Sequence, residues 1–230
     1  TLSSSSAASD VYKRQGVDNV ELRHGSWFEP VDGERFDRIV ANPPFVVGLP
    51  EVGHVYRDSG LDLDGASELV VSSVPDYLAQ NGSAFILGSW VHTSEQSWEQ
   101  RVASWFPSSG VSAWVLQRDV VDPALYVSTW LKDESVDPRS ADGIARTRHW
   151  LSHFRDEDVR AVGFGWIFIR DIGDAPTEVT TETLSQPFTD PLGPEVEEYF
   201  VRMEWLRETS ISDVLGASYA LRPGVAMEDV

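Results

Sequence analysis

The stretch that decides the fold runs from Arg38 to Gly48 and reads RIVANPPFVVG. Its first four residues are typical of a short β-strand. The Asn-Pro-Pro-Phe that follows must end the strand, because proline has no backbone N–H to donate to a sheet. The first proline also restricts Asn42 to extended backbone geometry. The sequence therefore predicts a stiff corner at the end of a strand, with a carboxamide in front and an aromatic ring behind.

The segments around this corner alternate between strand and helix patterns. Strands are predicted over 20–27, 35–41, 83–91, 111–121 and 160–171, and helices over 65–82, 94–106, 122–131 and 143–158. Such alternation predicts an α/β fold with a mainly parallel sheet and an antiparallel strand at the end of the series. Gly163 and Gly165 lie inside the last strand pattern, where glycine indicates close approach of another part of the chain.

Composition and charge narrow the classes of protein to consider. The chain has 230 residues, of which 41% are hydrophobic, including 9 Trp and 10 Phe, so a sizeable core is expected. It has no Cys, which excludes disulfides, zinc-thiolate sites and a cysteine nucleophile. No window approaches the apolar length of a membrane span, and a cytoplasmic location is expected. The net charge of −19 repels nucleic acid unless a local basic face or another segment makes the contact.

The corner itself suggests a ligand. In open α/β sheets, ligands bind beyond the carboxyl ends of the strands, and Asn42 follows such an end. Its side-chain oxygen and the backbone carbonyls of Asn42 and Pro43 accept hydrogen bonds. The ring of Phe45 offers a face for stacking. The residues therefore predict a site for a flat molecule that carries an exocyclic amine.

This pattern resembles a known family. The run FDRIVANPPF is similar to the fourth-strand motif of class I S-adenosylmethionine-dependent amino-methyltransferases, written (Asn/Asp/Ser)-Pro-Pro-(Tyr/Phe/Trp). The preceding VELRHGSWFEPVDGERFDRIV and the following YRDSGLDLDGASELV resemble the flanks of that motif. More narrowly, the chain resembles bacterial proteins with the "methyltransferase small" domain. The resemblance implies a Rossmann-like sheet and S-adenosyl-L-methionine as cofactor, with no metal.

The resemblance also implies roles for individual residues. Asn42 and Pro43, with Pro44 completing the motif, would accept hydrogen bonds from the substrate amine, and Phe45 would stack on the substrate plane. Ser26 stands where the family usually has an Asp that binds the adenine of the cofactor. Trp27 or Phe28 would pack on that adenine.

The resemblance also implies a domain organisation. The family's glycine-rich turn and the acidic residue that holds the cofactor ribose would precede Gly16, where nothing matches them. We therefore expect residues 1–15 to be a non-native or disordered leader. We expect 16–173 to be the C-terminal part of a methyltransferase domain that lacks its first two strands. Residues 174–230 would be a linker and the truncated start of another domain, and the fragment alone is expected to be inactive.

Three functions are compatible with these residues. The first is methyl transfer to an exocyclic amine of a nucleic-acid base, above all in rRNA, with the RNA contact made by a missing or flanking domain. The alternative is methylation of a protein glutamine in a release factor. A third possibility is a binding module that has lost catalysis.

Other polar clusters have simpler interpretations. His149 and His153 share one helix face, where we expect an ordinary partly exposed surface rather than a metal site. The basic run Ala145–Trp150 is expected to be a solvated helix face. The loop residues His54, Tyr56, Arg57 and Asp58 are candidates for a substrate or lid role.

Overall fold

The computed structural model describes residues 16, 19–50, 59–185 and 191–221. The chain divides into two compact units, Thr1–Leu184 and Ser185–Val230. The predicted leader lies outside the described residues, and so do the loop candidates at positions 54, 56, 57 and 58.

The first unit is built on a sheet of five strands among the described residues. They are β1 (Phe36–Ala41), β2 (Leu78–His92), β3 (Ser109–Val121), β4 (Ala161–Pro176) and β5 (Glu178–Thr183), arranged in the order β1-β2-β4-β3-β5. Two neighbouring pairs are parallel, β1 with β2 and β3 with β5. Strand β4 is antiparallel to both of its neighbours. Every described strand except β4 therefore runs in one direction, which confirms the predicted α/β class. The antiparallel strand is inserted between β2 and β3.

Helices connect these strands, and three of the four in the first unit begin at a side-chain cap. In the first unit they are α1 (Gly65–Tyr77), α2 (Trp98–Ala103), α3 (Pro123–Asp133) and α4 (Ala141–Asp156). Pro123 is the first residue of α3, as predicted, and the Asp122 side chain accepts hydrogen bonds from two backbone amides of its first turn. The side chain of Ser97 caps α2. The second unit contains α5 (Gly193–Glu208) and α6 (Ile211–Gly216).

The two faces of the sheet have separate cores. Helices α1 and α2 pack on one face, in a cluster that includes Val74, Trp90 and Trp98. Helices α3 and α4 cover the other face near the carboxyl ends of the strands, in a cluster that includes Val91 and Tyr126. Trp90 and Val91 are consecutive residues of β2, so the usual alternation of side chains along a strand sends them to opposite cores.

The glycines of β4 allow a tryptophan to cross it. A Cβ on Gly163 would lie 2.4 Å from Nε1 of Trp90, and one on Gly165 would lie 1.8 Å from the carbonyl oxygen of Leu116. The Trp90 Nε1–H donates to Oε1 of Gln117 on β3, at 2.9 Å, on the far side of β4. The close backbone approach predicted at these glycines is confirmed at Gly165, whereas the groups closest to Gly163 are the side chains of Trp90 and Gln117.

Three predicted elements differ clearly from the structure; one is the helix predicted over 94–106, of which only Trp98–Ala103 is helical. The strand predicted over 20–27 is not formed: residues 20–24 have no regular structure, and Val20 and Leu22 are exposed. An alternating pattern makes a strand only where a neighbouring strand and a core use it. The helix predicted over 65–82 ends at Tyr77, two residues after Pro75, and Leu78 begins β2.

The region after Gly173 is more regular than predicted. Strand β4 continues to Pro176, and β5 pairs with β3, so the compact unit extends to Leu184. Helix α5 begins within the stretch interpreted as a linker. Strand β5 reads EVTTET and has little apolar content, so its pairing with β3 rather than a buried face determines its structure.

None of the helices within the described part of the chain is both long and apolar enough to cross a membrane.

A buried carboxylate joins three elements of the first unit. The side chain of Asp64, which precedes α1, is 1% exposed. Its Oδ2 accepts hydrogen bonds from the Val91 amide at 2.9 Å and from Nε of Arg101 at 2.7 Å, and its Oδ1 accepts from Nη2 of Arg101 at 2.6 Å. Hydrogen bonding to Asp64 raises the pKa of Arg101. The carboxylate therefore links α1, β2 and α2.

We predict that Asp64→Asn lowers the free energy of unfolding by about 3–5 kcal/mol, because it leaves a partly buried guanidinium without its counter-charge. Asp119→Asn is the matched control, since the pair Arg118–Asp119 is about half exposed and such pairs contribute about 1 kcal/mol or less. Urea denaturation of both variants measures the difference. Equal losses in the two variants would show that Asp64 contributes no more than a surface charge.

A second prediction concerns pH. Asp158 accepts hydrogen bonds from the backbone amide of Ser94, at 2.8 Å, and from its hydroxyl. These hydrogen bonds, and then the charge of Arg160, lower the pKa of Asp158 below its ordinary 3.8. A lowered pKa stabilises the fold at pH values above 3.8, and this stabilisation is lost as the pH falls through the pKa of the folded protein.

We therefore expect Asp158→Asn to lower Tm at pH 7 and the difference from wild type to shrink in acid. Asparagine keeps the shape of the side chain and tolerates the positive φ of 54° at this position. Thermal denaturation followed by circular dichroism between pH 7 and the acid limit of folding measures the difference. A Tm difference that is independent of pH would contradict the assignment.

Candidate active site

The four motif residues lie together at the carboxyl edge of the sheet. Asn42 follows the last residue of β1, and the chain from Asn42 to Val47 takes part in no strand or helix of the described structure. The side chain of Asn42 is exposed, whereas Pro43, Pro44 and Phe45 are half-buried. The carboxamide is therefore accessible to a ligand, and the ring of Phe45 forms part of the wall behind it.

Side chains from distant parts of the sequence hold this corner. The hydroxyl of Ser89, on β2, donates to the carbonyl oxygen of Phe45 at 2.5 Å. The backbone amide of Val47 donates to the hydroxyl of Tyr126, on α3, at 2.7 Å. The ring of Phe45 meets that of Phe164, on β4, edge to face, with centroids 6.3 Å apart and an angle of 81° between the planes. Strands β2 and β4 and helix α3 thus all contribute to the position of the motif.

Helix α4 fixes the chain on either side of the loop that follows. Gly48 accepts a hydrogen bond from the Leu63 amide at 2.9 Å. The indole of Trp150 covers Gly48 so closely that a Cβ there would lie 2.8 Å from the ring. Nε2 of His153 lies 2.8 Å from Oδ1 of Asp62. The loop between Gly48 and Asp62 is therefore tied to one helix at both ends.

The three residues predicted to bind the cofactor line a cleft. Phe28 stacks on Tyr77 of α1, with ring centroids 4.7 Å apart and planes 22° apart. Trp27 has a positive φ of 48° and a partly exposed ring. The cleft is open and has a volume of about 390 Å³; its lining residues are Ser26, Trp27, Phe28, Glu29, Asp32, Leu69, Ser73 and Tyr77. Aromatic walls with a polar rim suit a flat heterocycle that carries hydrogen-bonding groups.

The cleft and the corner are linked through one core. Phe28 packs against the cluster on the α1 face, which Ile39 and Ala41 of β1 also join. Ala41 immediately precedes Asn42. The structure therefore gathers the motif residues at the end of β1 and places Ser26, Trp27 and Phe28 beside α1, on the face that β1 shares.

The supporting residues Ser89, Tyr126 and Phe164 are absent from the sequence-based prediction. Ser89 is a polar residue in a nearly continuous apolar run, which is a weak signal of a buried hydrogen bond. For the two aromatic residues the sequence carries no signal beyond a core pattern.

One residue of the basic run and one of the histidine pair make ion-pair or hydrogen-bond contacts within the fold. Arg146 pairs with Glu134, whose side chain is almost fully buried. His153 binds Asp62 instead of forming a pair with His149. Among the described residues, no group of three or more His, Cys, Asp or Glu side chains is arranged to hold a metal ion.

Comparison with known proteins identifies relatives of part of the chain. Release factor glutamine methyltransferase of Xylella fastidiosa strain 9a5c is 30% identical over 115 residues, which cover 43% of this chain and 38% of that protein. The protein of the same name from strain Temecula1 is 45% identical over the same shares of the two chains. The one from Aliivibrio fischeri is 36% identical over 94 residues, covering 36% of this chain and 30% of the relative. No protein-family model matches the chain.

The chain thus spans between 30% and 38% of the length of these relatives. The matches agree with the resemblance on which the predicted fold rests, and the α/β sheet agrees with a Rossmann-like methyltransferase fold. The comparison therefore supports similarity to methyltransferases over the matched part of the chain.

Proposed function

We propose that this chain is the substrate-binding part of an N-methyltransferase that uses S-adenosyl-L-methionine and modifies the side-chain amide of a protein glutamine. The observation that carries the proposal is the accessible carboxamide of Asn42, which lies at the carboxyl edge of the sheet on a backbone held by Ser89 and Tyr126. The relatives' common name supports glutamine as the group modified.

The corner acts by positioning the substrate. The side-chain oxygen of Asn42 and the carbonyl oxygen of Pro43 accept hydrogen bonds from the two N–H groups of a planar –NH₂ group. These two hydrogen bonds fix the orientation of the nitrogen. The half-buried ring of Phe45 packs against the plane of the same group. Holding a nucleophile in line with its partner can lower a barrier by about 7–11 kcal/mol. No metal is needed for this role.

The cleft beside α1 is the part of this chain that fits the cofactor. When bound, the cofactor supplies a methyl group activated by a sulfonium. The aromatic pair Phe28 and Tyr77 and the exposed ring of Trp27 provide faces for its adenine, and the Ser26 hydroxyl provides a donor and an acceptor beside them. Ser26 has no charge, so in this proposal the aromatic residues contribute more to adenine binding than the residue at the family's Asp position.

Charge favours a protein substrate over a nucleic acid. A primary carboxamide and the exocyclic amine of a base present the same flat –NH₂ to the corner, so the corner alone does not separate them. The net charge of −19 opposes a polyphosphate. Arg146, in the one basic run, is already paired with Glu134. The proposed order is therefore protein glutamine first and nucleic-acid base second, the reverse of the order expected from the sequence.

The proposal is tested by methyl transfer with labelled cofactor in the longest native form of the protein that contains this sequence. Release factor and ribosomal RNA are offered in separate reactions, and the modified residue is identified by mass spectrometry. Label on a glutamine is the expected result. Label confined to RNA would restore the nucleic-acid base as substrate. No transfer to either, with cofactor still bound, would favour a non-catalytic binding module.

Asn42→Ala is predicted to lower kcat by about 100-fold, because the amine loses an acceptor that orients it, and to leave the cofactor Kd within about twofold of wild type. Asn19→Ala is the matched control, since Asn19 is exposed and outside every helix and strand. Single-turnover kinetics and calorimetric titration of the cofactor measure the two quantities. An Asn42→Ala variant with full turnover would remove the corner from the mechanism.

Substituting one aromatic residue in the corner and one in the cleft distinguishes the roles of these two halves of the site. Phe45→Leu is expected to raise KM for the methyl acceptor by about fivefold, because leucine has no flat face for the amide plane and the loss of such a contact costs about 1 kcal/mol. Phe28→Leu should instead raise KM for the cofactor by a similar factor. Steady-state kinetics with each substrate varied in turn measures both. If both variants alter the same KM, the division into corner and cleft is wrong.

A further inference from the structure

We propose that Tyr126 is a positioning residue for methyl transfer, acting on the substrate corner from helix α3; this inference rests on the proposed function. Tyr126 is 2% exposed. Its hydroxyl accepts the hydrogen bond of the Val47 amide, five residues after Asn42, at 2.7 Å. Without that acceptor, a buried backbone N–H would have to find another partner or move.

The ring of Tyr126 also reaches the motif through a neighbour. It stacks on Phe164 with centroids 5.7 Å apart and planes 26° apart. Phe164 in turn meets Phe45 edge to face. Tyr126 therefore controls the backbone after the motif through its oxygen and the orientation of Phe45 through its ring.

Tyr126 is itself firmly held. Its ring packs edge to face against Trp150 of α4, with centroids 6.1 Å apart, and lies tilted by 45° against Phe154, with centroids 6.0 Å apart. Val127 and Leu131 bury the rest of this side of α3 in the same cluster. The packing of α3 against α4 therefore fixes the position of Tyr126, and Tyr126 in turn fixes the corner.

The nature of the corner makes such support necessary. Pro43 and Pro44 have no backbone N–H, and residues 42–47 join no strand pairing in the described structure. The contacts that hold the segment are therefore made by side chains, from Ser89 and Tyr126. A change in either shifts the corner without breaking the sheet, so it should alter catalysis more than stability.

Tyr126→Phe tests this inference because it removes one oxygen and keeps the ring. Ser112→Ala is the control: it also removes a buried hydroxyl, from β3, and that oxygen has no hydrogen-bond partner among the described residues. Phe164→Leu tests the ring contact separately. Amide hydrogen exchange at Val47, cofactor Kd, and kcat and KM for a glutamine-containing peptide are measured for each variant in the longest native form of the protein.

In Tyr126→Phe we expect the Val47 amide to exchange at least tenfold faster and kcat to fall by roughly 10- to 100-fold, the scale of a small misplacement of reacting groups, with the cofactor Kd unchanged. Phe164→Leu should raise KM for the peptide, while Ser112→Ala should change none of these values.

Unchanged Val47 exchange in Tyr126→Phe overturns the inference whatever the activity, and so does faster exchange with normal kcat. An equal loss of kcat in Ser112→Ala would overturn it too, since it would show a general effect of core damage. A wild type that binds cofactor but transfers no methyl overturns the proposed function and the positioning role with it. In that case the exchange data still decide whether Tyr126 holds the corner.

Discussion

The structure of the site depends on the absence of two backbone donors. Pro43 and Pro44 come one residue after the end of β1, so the strand cannot continue its ladder with β2 beyond this point. Strand β2 continues to His92, where it still pairs with β4 along its other edge. The chain therefore leaves the sheet at the edge where parallel strands end. A carboxamide and two carbonyl groups therefore lie next to the aromatic cluster of Phe45, Phe164 and Tyr126.

The antiparallel strand β4 contributes Phe164 to this aromatic cluster. It lies between β2 and β3 and carries Phe164 on the face covered by α3 and α4, while its glycines leave the opposite face open for Trp90. A strand without glycine at positions 163 and 165 could not let the indole cross to Gln117. Strand β4 thus provides a packing partner for Phe45. Its glycines also leave room for the hydrogen bond between Trp90 of β2 and Gln117 of β3.

Features that depend on local chemistry were predictable from the sequence, and features that depend on distant pairing were not. The corner at Asn42, the proline at the start of α3 and the glycines of β4 each follow from the backbone properties of one or two residues. Strand β5 forms because it lies beside β3, although its own residues carry little apolar signal. The strand predicted near Val20 fails for the opposite reason: its alternating pattern has no partner in the described structure.

The same distinction explains which residues of the site could be predicted from the sequence. The motif residues were identified because they are contiguous, whereas Ser89 and Tyr126 lie 44 and 79 residues from the atoms that they bind. Contacts over such distances require the order of the strands, and the inserted position of β4 is a property of the whole sheet. Residues that position a reacting group are therefore harder to find in a sequence than residues that touch it.

The geometry also indicates where substrate choice must arise. Under the proposed function, the acceptors of the corner bind a planar –NH₂ group, and a glutamine amide and a base amine would satisfy them equally well. Selection therefore depends on groups outside the corner, which see the rest of the substrate. Helix α4 is the described element best placed for this role, because it contacts Gly48 through Trp150 and Asp62 through His153 on either side of the loop that follows the motif. A protein substrate could meet such a surface through shape and hydrogen bonds, whereas the net charge of −19 on the whole chain opposes a polyphosphate.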